Sequence, residues 1–213
     1  TVDGIVIDLC VSSMQIDLPA RGVSFTKDGP LDMRFSPNQP VRAADLVNGL
    51  SEEELTDLIW RYGEDRHARR IARVILQGRP FQSTLQLAEA IKASGVNRGE
   101  RIHPATRTFQ ALRIAVNQEL DALSTFLPQA VESLGKGGRL AVISFHSLED
   151  RIVKQYFRQE SRDCICPPGQ PVCTCGHKAV IVELNRHPII ADEDETARNA
   201  RARSAKLRII EKL

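Results

Sequence analysis

The residues best suited to chemistry follow an apolar run in the second half of the chain: Ser144, His146 and Ser147. The pattern predicts a buried strand over residues 139–145, followed by a helix that Ser147 caps and whose first turn is acidic. Ligands in open α/β sheets bind outside the carboxyl ends of the strands. We therefore interpret this strand end as the edge of an active site.

A second polar edge follows the first apolar run. Asp8 lies in a strand predicted over residues 4–9, and because a buried carboxylate without partners is costly, we expect it at the strand's end, facing a ligand or hydrogen-bond donors. A structural carboxylate that caps a turn is the alternative. Ser12, Ser13 and Gln15 follow, with donors and acceptors that suit an amino group or an amino-acid moiety. Because no nucleophile and base pair is evident, the pattern favours a site that positions its substrates.

Four arginines are spaced for one face of a helix predicted over residues 65–77. They lie at i, i+3, i+4 and i+7: Arg66, Arg69, Arg70 and Arg73. A solvated helix face is one interpretation of this stripe, and contact with nucleic-acid phosphates is the other. The formal net charge of the chain is only +2, so any nucleic-acid contact depends on such local clusters.

Four of the five cysteines lie close together, as two Cys-x-Cys pairs: Cys164, Cys166, Cys173 and Cys175. A structural zinc ion held by four thiolates is one interpretation, because thiolates bind zinc well. Reduced thiols and a disulfide are the alternatives, and a disulfide is disfavoured in the cytosol. Cys-x-Cys is tighter than the usual Cys-x-x-Cys spacing, so the sequence leaves these alternatives open.

The elements that must position these residues are those of an α/β fold. Strands are predicted over residues 4–9, 139–145, 179–184 and 206–211, and helices over residues 43–50, 52–62, 65–77, 84–93 and 106–134. The order favours a mostly parallel sheet, and the last two strands could form an antiparallel edge. Five helices are too many for one crossover, so we expect an inserted helical subdomain.

The composition is that of a soluble globular protein, with 213 residues, 42% hydrophobic and 26% charged. No apolar run approaches the roughly 20 residues of a membrane helix, and no signal peptide is evident at the N-terminus. The sequence therefore predicts a cytoplasmic protein without membrane contact. Because the chain begins with Thr1 instead of an initiator Met and enters a strand almost at once, we expect that an upstream part of the protein is absent from it.

Seven ordered blocks resemble a known family: residues 3–15, 21–25, 28–34, 62–64, 103–114, 143–154 and 200–208. They include Asp-Gly-Pro-Leu-Asp-Met-Arg in the third block and Ser-Phe-His-Ser-Leu-Glu-Asp in the sixth. Together they resemble the S-adenosylmethionine-dependent 16S ribosomal RNA cytosine-N4 methyltransferases, the RsmH or MraW family, over essentially the whole chain.

The resemblance implies a class I, Rossmann-like methyltransferase core in two parts, residues 1–40 and 104–213. An inserted all-helical substrate-recognition subdomain, residues 41–103, would separate them. The glycine-rich cofactor loop of the family lies upstream of the first block, so the resemblance implies a core that is incomplete at its N-terminus in this chain.

For function, the resemblance implies N4-methylation of a cytidine in 16S-type ribosomal RNA, with the assembled small ribosomal subunit as the substrate. S-adenosylmethionine would be contacted by Asp8 and Gln15, whereas Cys10 stands where the family usually has glycine. Two other functions remain open. One is a catalytically inactive fragment, and the other is an RNA-binding module with a structural zinc knuckle.

Methylating the cytosine amine requires the base to be held out of its stack, with an acceptor for the departing proton. The candidates to surround the base are Asp8, Ser12, Ser13, Ser144 and His146. Further candidates to contact RNA, besides the four arginines, are His103, Arg107 and Asn117. For both histidines a structural hydrogen-bonding role is the alternative.

Overall fold

The computed structural model describes residues 1–9, 11–12, 16, 18–96, 99, 102–170 and 172–213. The chain divides into two compact units: a sheet unit, Thr1–Cys10 with Leu120–Leu213, and a helical unit, Val11–Glu119. The predicted helical subdomain, residues 41–103, lies inside the helical unit, which extends beyond both of its predicted boundaries.

The sheet unit contains five strands in the described residues. They are β1 (Val2–Asp8), β2 (Leu134–Ser144), β3 (Ile181–Glu183), β4 (Ile189–Ile190) and β5 (Lys206–Lys212), in the order β1-β2-β5-β3, with β4 also paired to β5. Only β1 and β2 are parallel, whereas β2, β3 and β4 all pair with β5 in antiparallel fashion. The prediction of a mostly parallel sheet is therefore wrong for the described chain, and the antiparallel pairing of the last two predicted strands is confirmed.

Three helices accompany this sheet: α6 (Glu119–Ser133), α7 (Ser147–Glu160) and α8 (Glu193–Arg198). Leu127 of α6 and Phe157 of α7 are 1% exposed and pack in one hydrophobic cluster with Leu140 and Val142 of β2. Alternate residues of β2 face this cluster, since strand side chains alternate between the two faces of a sheet. The core thus holds β2 rigidly up to its polar carboxyl end.

The helical unit contains five α-helices in its described part. They are α1 (Ala43–Gly49), α2 (Glu52–Gly63), α3 (Ala68–Gly78), α4 (Thr84–Ala93) and α5 (Thr106–Asn117). Their apolar stripes meet in a separate hydrophobic cluster, in which Leu55, Ile71, Leu87 and Leu112 are fully buried. No described helix of either unit is long and apolar enough to cross a membrane.

The single helix predicted over residues 106–134 is two helices. Gln118 lies between them with φ 51°, in the left-handed region, and its N–H bonds to the Ile114 carbonyl to close α5. The glycine-rich run of residues 135–138 lies within β2, which begins at Leu134. Neither Asn117 nor Gln118 is a glycine or proline, so the sequence carries no strong signal of this break.

Candidate functional site

The parallel pairing of β1 and β2 brings two predicted site residues to the same sheet edge. Asp8 is the last residue of β1 and lies opposite Ile143, and the Leu9 N–H bonds to the Ile143 carbonyl at 3.0 Å. Ser144, the next residue of β2, is 2% exposed, and its hydroxyl donates to the Lys206 carbonyl at 3.4 Å. Asp8 itself is exposed, so its carboxylate does not bear the cost of burial.

His146 begins the helix that follows β2. Its Nδ1 accepts a hydrogen bond from the Glu149 N–H at 3.4 Å, while the Glu149 carboxylate accepts from the Phe145 N–H at 2.9 Å and from the His146 N–H at 3.3 Å. This reciprocal arrangement is a capping box. The N-cap of α7 is therefore His146, and the prediction that Ser147 caps this helix is wrong, since Ser147 is its first residue.

Both ring nitrogens of His146 face the same residue. Besides the contact of Nδ1, Nε2 lies 3.1 Å from Glu149 Oε1, although the direction is not that of a hydrogen bond. The imidazole is about nine-tenths buried, with 11% of its side chain exposed. These contacts favour the structural hydrogen-bonding role that the sequence left as an alternative.

An ion pair in the sheet unit was not anticipated from the sequence. Arg208 of β5 is 4% exposed, and its Nε donates to Asp150 Oδ1 at 2.7 Å, with Lys206 Nζ 3.6 Å from Oδ2. Burial works to raise the pKa of Asp150, but the hydrogen bond and positive charge of Arg208, with the charge of Lys206, outweigh it and lower that pKa. Arg208 lies two residues before the buried Ile210, so both side chains share one face of the strand, and this spacing is the signal that would have placed Arg208 inside.

The polar residues after β1 are described only in part. Ser12 is exposed and belongs to the helical unit. Ser13 and Gln15, together with Cys10, lie outside the described residues. Their assignments to the base and to the cofactor stay predictions.

The arginine stripe is placed partly on α3. Arg66 precedes this helix, which begins at Ala68, so the prediction of a helix from residue 65 is wrong at its start. Arg69 and Arg73 contact Glu52 through their Nε atoms, at 3.3 and 2.9 Å, with 73% and 54% of their side chains exposed. Arg70 instead donates to the Ser94 carbonyl at 2.7 Å.

An open groove of ≈ 600 Å³ adjoins this stripe on the helical unit. Its lining residues come from α2 and α3: Glu52, Glu53, Thr56, Asp57, Trp60, Arg69 and Arg73. Trp60, the only tryptophan of the chain, is 58% exposed there. Trp60 is not among the predicted site residues, although its spacing from Glu53 and Thr56 places the three side chains on one face of α2.

The side-chain amide of Asn117 is hydrogen-bonded to three backbone groups. Its side-chain amide donates to the carbonyls of Met33 at 2.8 Å and Arg113 at 2.9 Å, and its oxygen accepts from the Phe35 N–H at 2.8 Å. Met33 is fully buried with φ 63°, a conformation that side chains other than glycine rarely adopt. Asn117 thus fastens a strained turn to α5.

His103 is also held within the helical unit. Its Nδ1 accepts from the Ala105 N–H at 3.2 Å, and its ring lies 4.7 Å from that of Phe25. Burial, followed by the charge of Lys92, lowers its pKa, which favours the neutral ring at neutral pH. Arg107 lies in the first turn of α5, with a partly buried side chain.

The four clustered cysteines lie in the loop between α7 and β3. Their sulfur atoms all come within 4.8 Å of one another, so the two Cys-x-Cys pairs face each other. His177, just beyond them, points its Nε2 to the Gln159 carbonyl at 3.1 Å.

Comparison with known proteins places these features in a family. Residues 1–213 match the model of the MraW methylase family. The chain is 55% identical over 212 residues to ribosomal RNA small subunit methyltransferase H of Dehalococcoides mccartyi, covering 100% of this chain and 61% of that protein. It is 54% identical over 215 residues to the protein of the same name from Thermomicrobium roseum, covering 100% of this chain and 66% of that protein. The chain thus spans less than two thirds of the length of these relatives.

Proposed function

This chain belongs to the MraW methylase family, and we propose that its protein transfers a methyl group from S-adenosylmethionine to the N4 amine of a cytidine in 16S-type ribosomal RNA. The relatives, named as small-subunit ribosomal RNA methyltransferases, support the substrate class. The observation that carries the proposal is the parallel pair β1 and β2, whose carboxyl ends bring Asp8 and Ser144 to one edge. Ligands bind at such edges in α/β folds.

The residues at this edge fit the cofactor. S-adenosylmethionine supplies an electrophilic methyl group on a positively charged sulfur. Asp8 presents an exposed carboxylate at the strand end, where it can accept hydrogen bonds from an ammonium or hydroxyl group. Gln15, in the same sequence block, is the second proposed cofactor contact.

The chemistry at the amine depends mainly on positioning. The lone pair of the cytosine amine is conjugated with the ring, so acceptors near the amine favour a more tetrahedral nitrogen, and one of them must take the departing proton. We assign the proton acceptor to Asp8, because both ring nitrogens of His146 already face Glu149. His146 and Ser144 then act as positioning residues, while Ser12 and Ser13 stay candidates for contact with the base.

RNA contact is assigned to the arginines of the helical unit. Arg69 and Arg73 share a single carboxylate, Glu52, in exposed ion pairs. Such pairs contribute at most about 1 kcal/mol, so a phosphate can replace the carboxylate at little cost. Arg66, Arg70 and Arg107 complete the proposed RNA-binding set. His103 and Asn117, the other candidates, are bonded to backbone groups, so we assign them a structural role. A cytoplasmic ribosomal subunit is the proposed partner.

Substitutions of the two aspartates of β1, Asp8 and Asp3, test the assignment of Asp8 to the active site. Asp8→Asn in a protein that also carries the remaining length of the relatives should reduce methyl incorporation into small subunits by about 100-fold or more, since proton transfer contributes roughly 10²–10⁴-fold. Asp3→Asn, at the opposite end of the same strand, should leave the rate unchanged. An unchanged rate in the Asp8→Asn variant would contradict the assignment.

Calorimetric titration of S-adenosylmethionine separates the enzyme from its rivals. We expect heat of binding with a full-length relative and weaker or no binding with the 213-residue chain, because the chain covers 61% of that relative. Binding to neither would support an RNA-binding module.

The zinc ion predicted for the cysteines has no catalytic task in this proposal, because four thiolates leave no open coordination position.

A further inference from the structure

The sulfur atoms of the cysteine cluster lie at the corners of a small tetrahedron. Cys173 Sγ is 3.5 Å from Cys164 Sγ, 3.9 Å from Cys166 Sγ and 3.5 Å from Cys175 Sγ, and Cys175 Sγ is 3.8 Å from Cys164 Sγ. A tetrahedral zinc site with Zn–S bonds of about 2.3 Å has sulfur–sulfur edges of about 3.8 Å. A disulfide requires a sulfur–sulfur distance of about 2.0 Å. The spacing therefore matches one metal ion among four thiolates.

We infer that Cys164, Cys166, Cys173 and Cys175 bind one zinc ion in a closed, structural site. This inference goes beyond the proposed methyl transfer and does not depend on it. Soft thiolate ligands in a tetrahedral set select zinc over the oxygen-seeking divalent cations. The site releases the thiol protons when it binds metal, because the thiolate is the ligand.

Backbone groups of the loop support the same site. The Ile165 N–H points to Cys175 Sγ and the Cys166 N–H to Cys164 Sγ, both at 3.5 Å, which places hydrogen-bond donors around the sulfurs. Gly176, directly after the second pair, has φ 64°, a conformation that glycine adopts without strain. His177 faces the Gln159 carbonyl, so it is not the fourth ligand in place of a cysteine.

The loop has no apolar core of its own. Among the described positions of residues 161–180, no side chain is buried, and neither hydrophobic cluster includes a member from this segment. Its base is closed by the Val180 N–H, which donates to the Glu160 carbonyl at 3.0 Å. A segment that buries so little surface needs another source of order, and a metal ion is a common one in small loops. The ion would therefore hold the connection between α7 and β3.

Metal analysis of purified variants tests the inference directly. The reduced wild-type chain should retain one zinc per chain after dialysis against buffer without metal, as counted by inductively coupled plasma mass spectrometry. Cys173→Ser should lose it, because this sulfur contacts the other three. His177→Ala is the matched control and should retain one zinc. Because the cysteines lie outside both cores, the Cys173→Ser chain should still fold, as circular dichroism can verify.

Two further measurements distinguish a bound metal ion from free thiols or a disulfide. Cobalt exchanged into the site should give the visible ligand-field and near-ultraviolet charge-transfer bands of a tetrahedral thiolate complex, and His177→Ala should leave them unchanged. Trypsin should cut the metal-free chain after Arg162 or Lys178 about tenfold faster or more, since local opening governs such cleavage. Substoichiometric zinc in the reduced wild type, zinc lost in His177→Ala, or a chain mass lower by two hydrogens per cysteine pair would overturn the inference. None of these readings uses methyl transfer, so the two proposals fail independently.

Discussion

Arg208 shows how one residue escapes sequence analysis. The two-residue spacing of Arg208 and Ile210 can place Arg208 on the buried face of β5, but it does not reveal a partner. Arg208 is 4% exposed and Asp150 is 8% exposed. Asp150 was expected only as an acid in a first helical turn. The difference arises because the long-range partner on β5 lies 58 residues away in sequence. Spacing predicts neighbours on one element, and it does not predict contacts between elements.

The Asp150–Arg208 pair provides a stability test. Asp150→Ala should lower the free energy of unfolding by about 3–5 kcal/mol, because it leaves a buried guanidinium without its partner. Replacing both residues, as Asp150→Leu with Arg208→Met, should cost much less, since no buried charge remains. Urea denaturation of the wild type, the Asp150→Ala variant and the double variant measures both effects. Equal losses for the single and double variants would show that the pair's charge is not the cause.

The same carboxylate predicts a loss of stability in acid. The pKa of Asp150 is lower in the folded chain than its unfolded value of about 3.9. Its contribution is therefore fully present above about pH 5 and is lost as the pH falls through the folded pKa. Unfolding curves between about pH 6 and pH 2 should lose less stability in Asp150→Asn than in the wild type, although the variant is less stable at neutral pH. Parallel curves for the two proteins would contradict this assignment.

The Asn117→Ala variant tests whether Asn117 has a structural role or contacts RNA directly. Asn117→Ala removes three hydrogen bonds to the backbone and should lower the free energy of unfolding by about 1–3 kcal/mol, since it leaves partly buried backbone groups without these bonds. Under conditions where the variant is folded, its affinity for ribosomal RNA should equal that of the wild type. Filter binding at fixed salt tests this. A tenfold loss of affinity in the folded variant would establish direct contact.

At the level of elements, local signals predicted helices better than the sheet. The helix predicted over residues 84–93 is observed as Thr84–Ala93, because Ser83 and Gln86 form a capping box that can be read from the sequence. Ser51 and Glu54 do the same for α2. The prediction of a mostly parallel sheet is wrong because strand direction depends on long-range pairing, which local patterns do not reveal. Three of the four observed pairings involve β5, and all three are antiparallel.

The start of α7 tests what the His146 ring contributes. His146→Ala should destabilise the chain by about 0.5–2 kcal/mol through loss of the N-cap, whereas His146→Ser should keep the cap and the stability. We expect His146→Ser to retain methyl transfer, because the role of the ring is to cap the helix and the serine hydroxyl can do the same. Urea denaturation and the subunit methylation assay together decide this. Lost activity at full stability would make the imidazole a catalytic residue.

At the scale of the whole molecule, the two hydrophobic clusters formed by the described residues belong to different units. Every residue of the cluster around Leu55, Ile71 and Leu112 belongs to the helical unit, and every residue of the cluster around Leu127 and Leu140 belongs to the sheet unit. The prediction of an inserted subdomain over residues 41–103 is compatible with this separation and stays a prediction, since the helical unit spans Val11–Glu119. The prediction rests on five helical patterns between two strands, and the limits of such a segment depend on contacts that no local pattern reveals.

The separate core implies that the helical unit folds on its own. A fragment of residues 11–119 should show helical circular dichroism and a cooperative thermal transition, because it is continuous in sequence and contains its complete hydrophobic cluster. Leu112→Ala, at a fully buried position, should lower the stability of the fragment by about 2–5 kcal/mol, and Leu18→Ala, at a 52% exposed position, should have little effect. If the arginines contact RNA as proposed, the folded fragment should bind ribosomal RNA with a salt dependence that weakens in an Arg69→Ala, Arg73→Ala double variant. A fragment without a cooperative transition would mean that the helical unit depends on the sheet unit, despite its separate core.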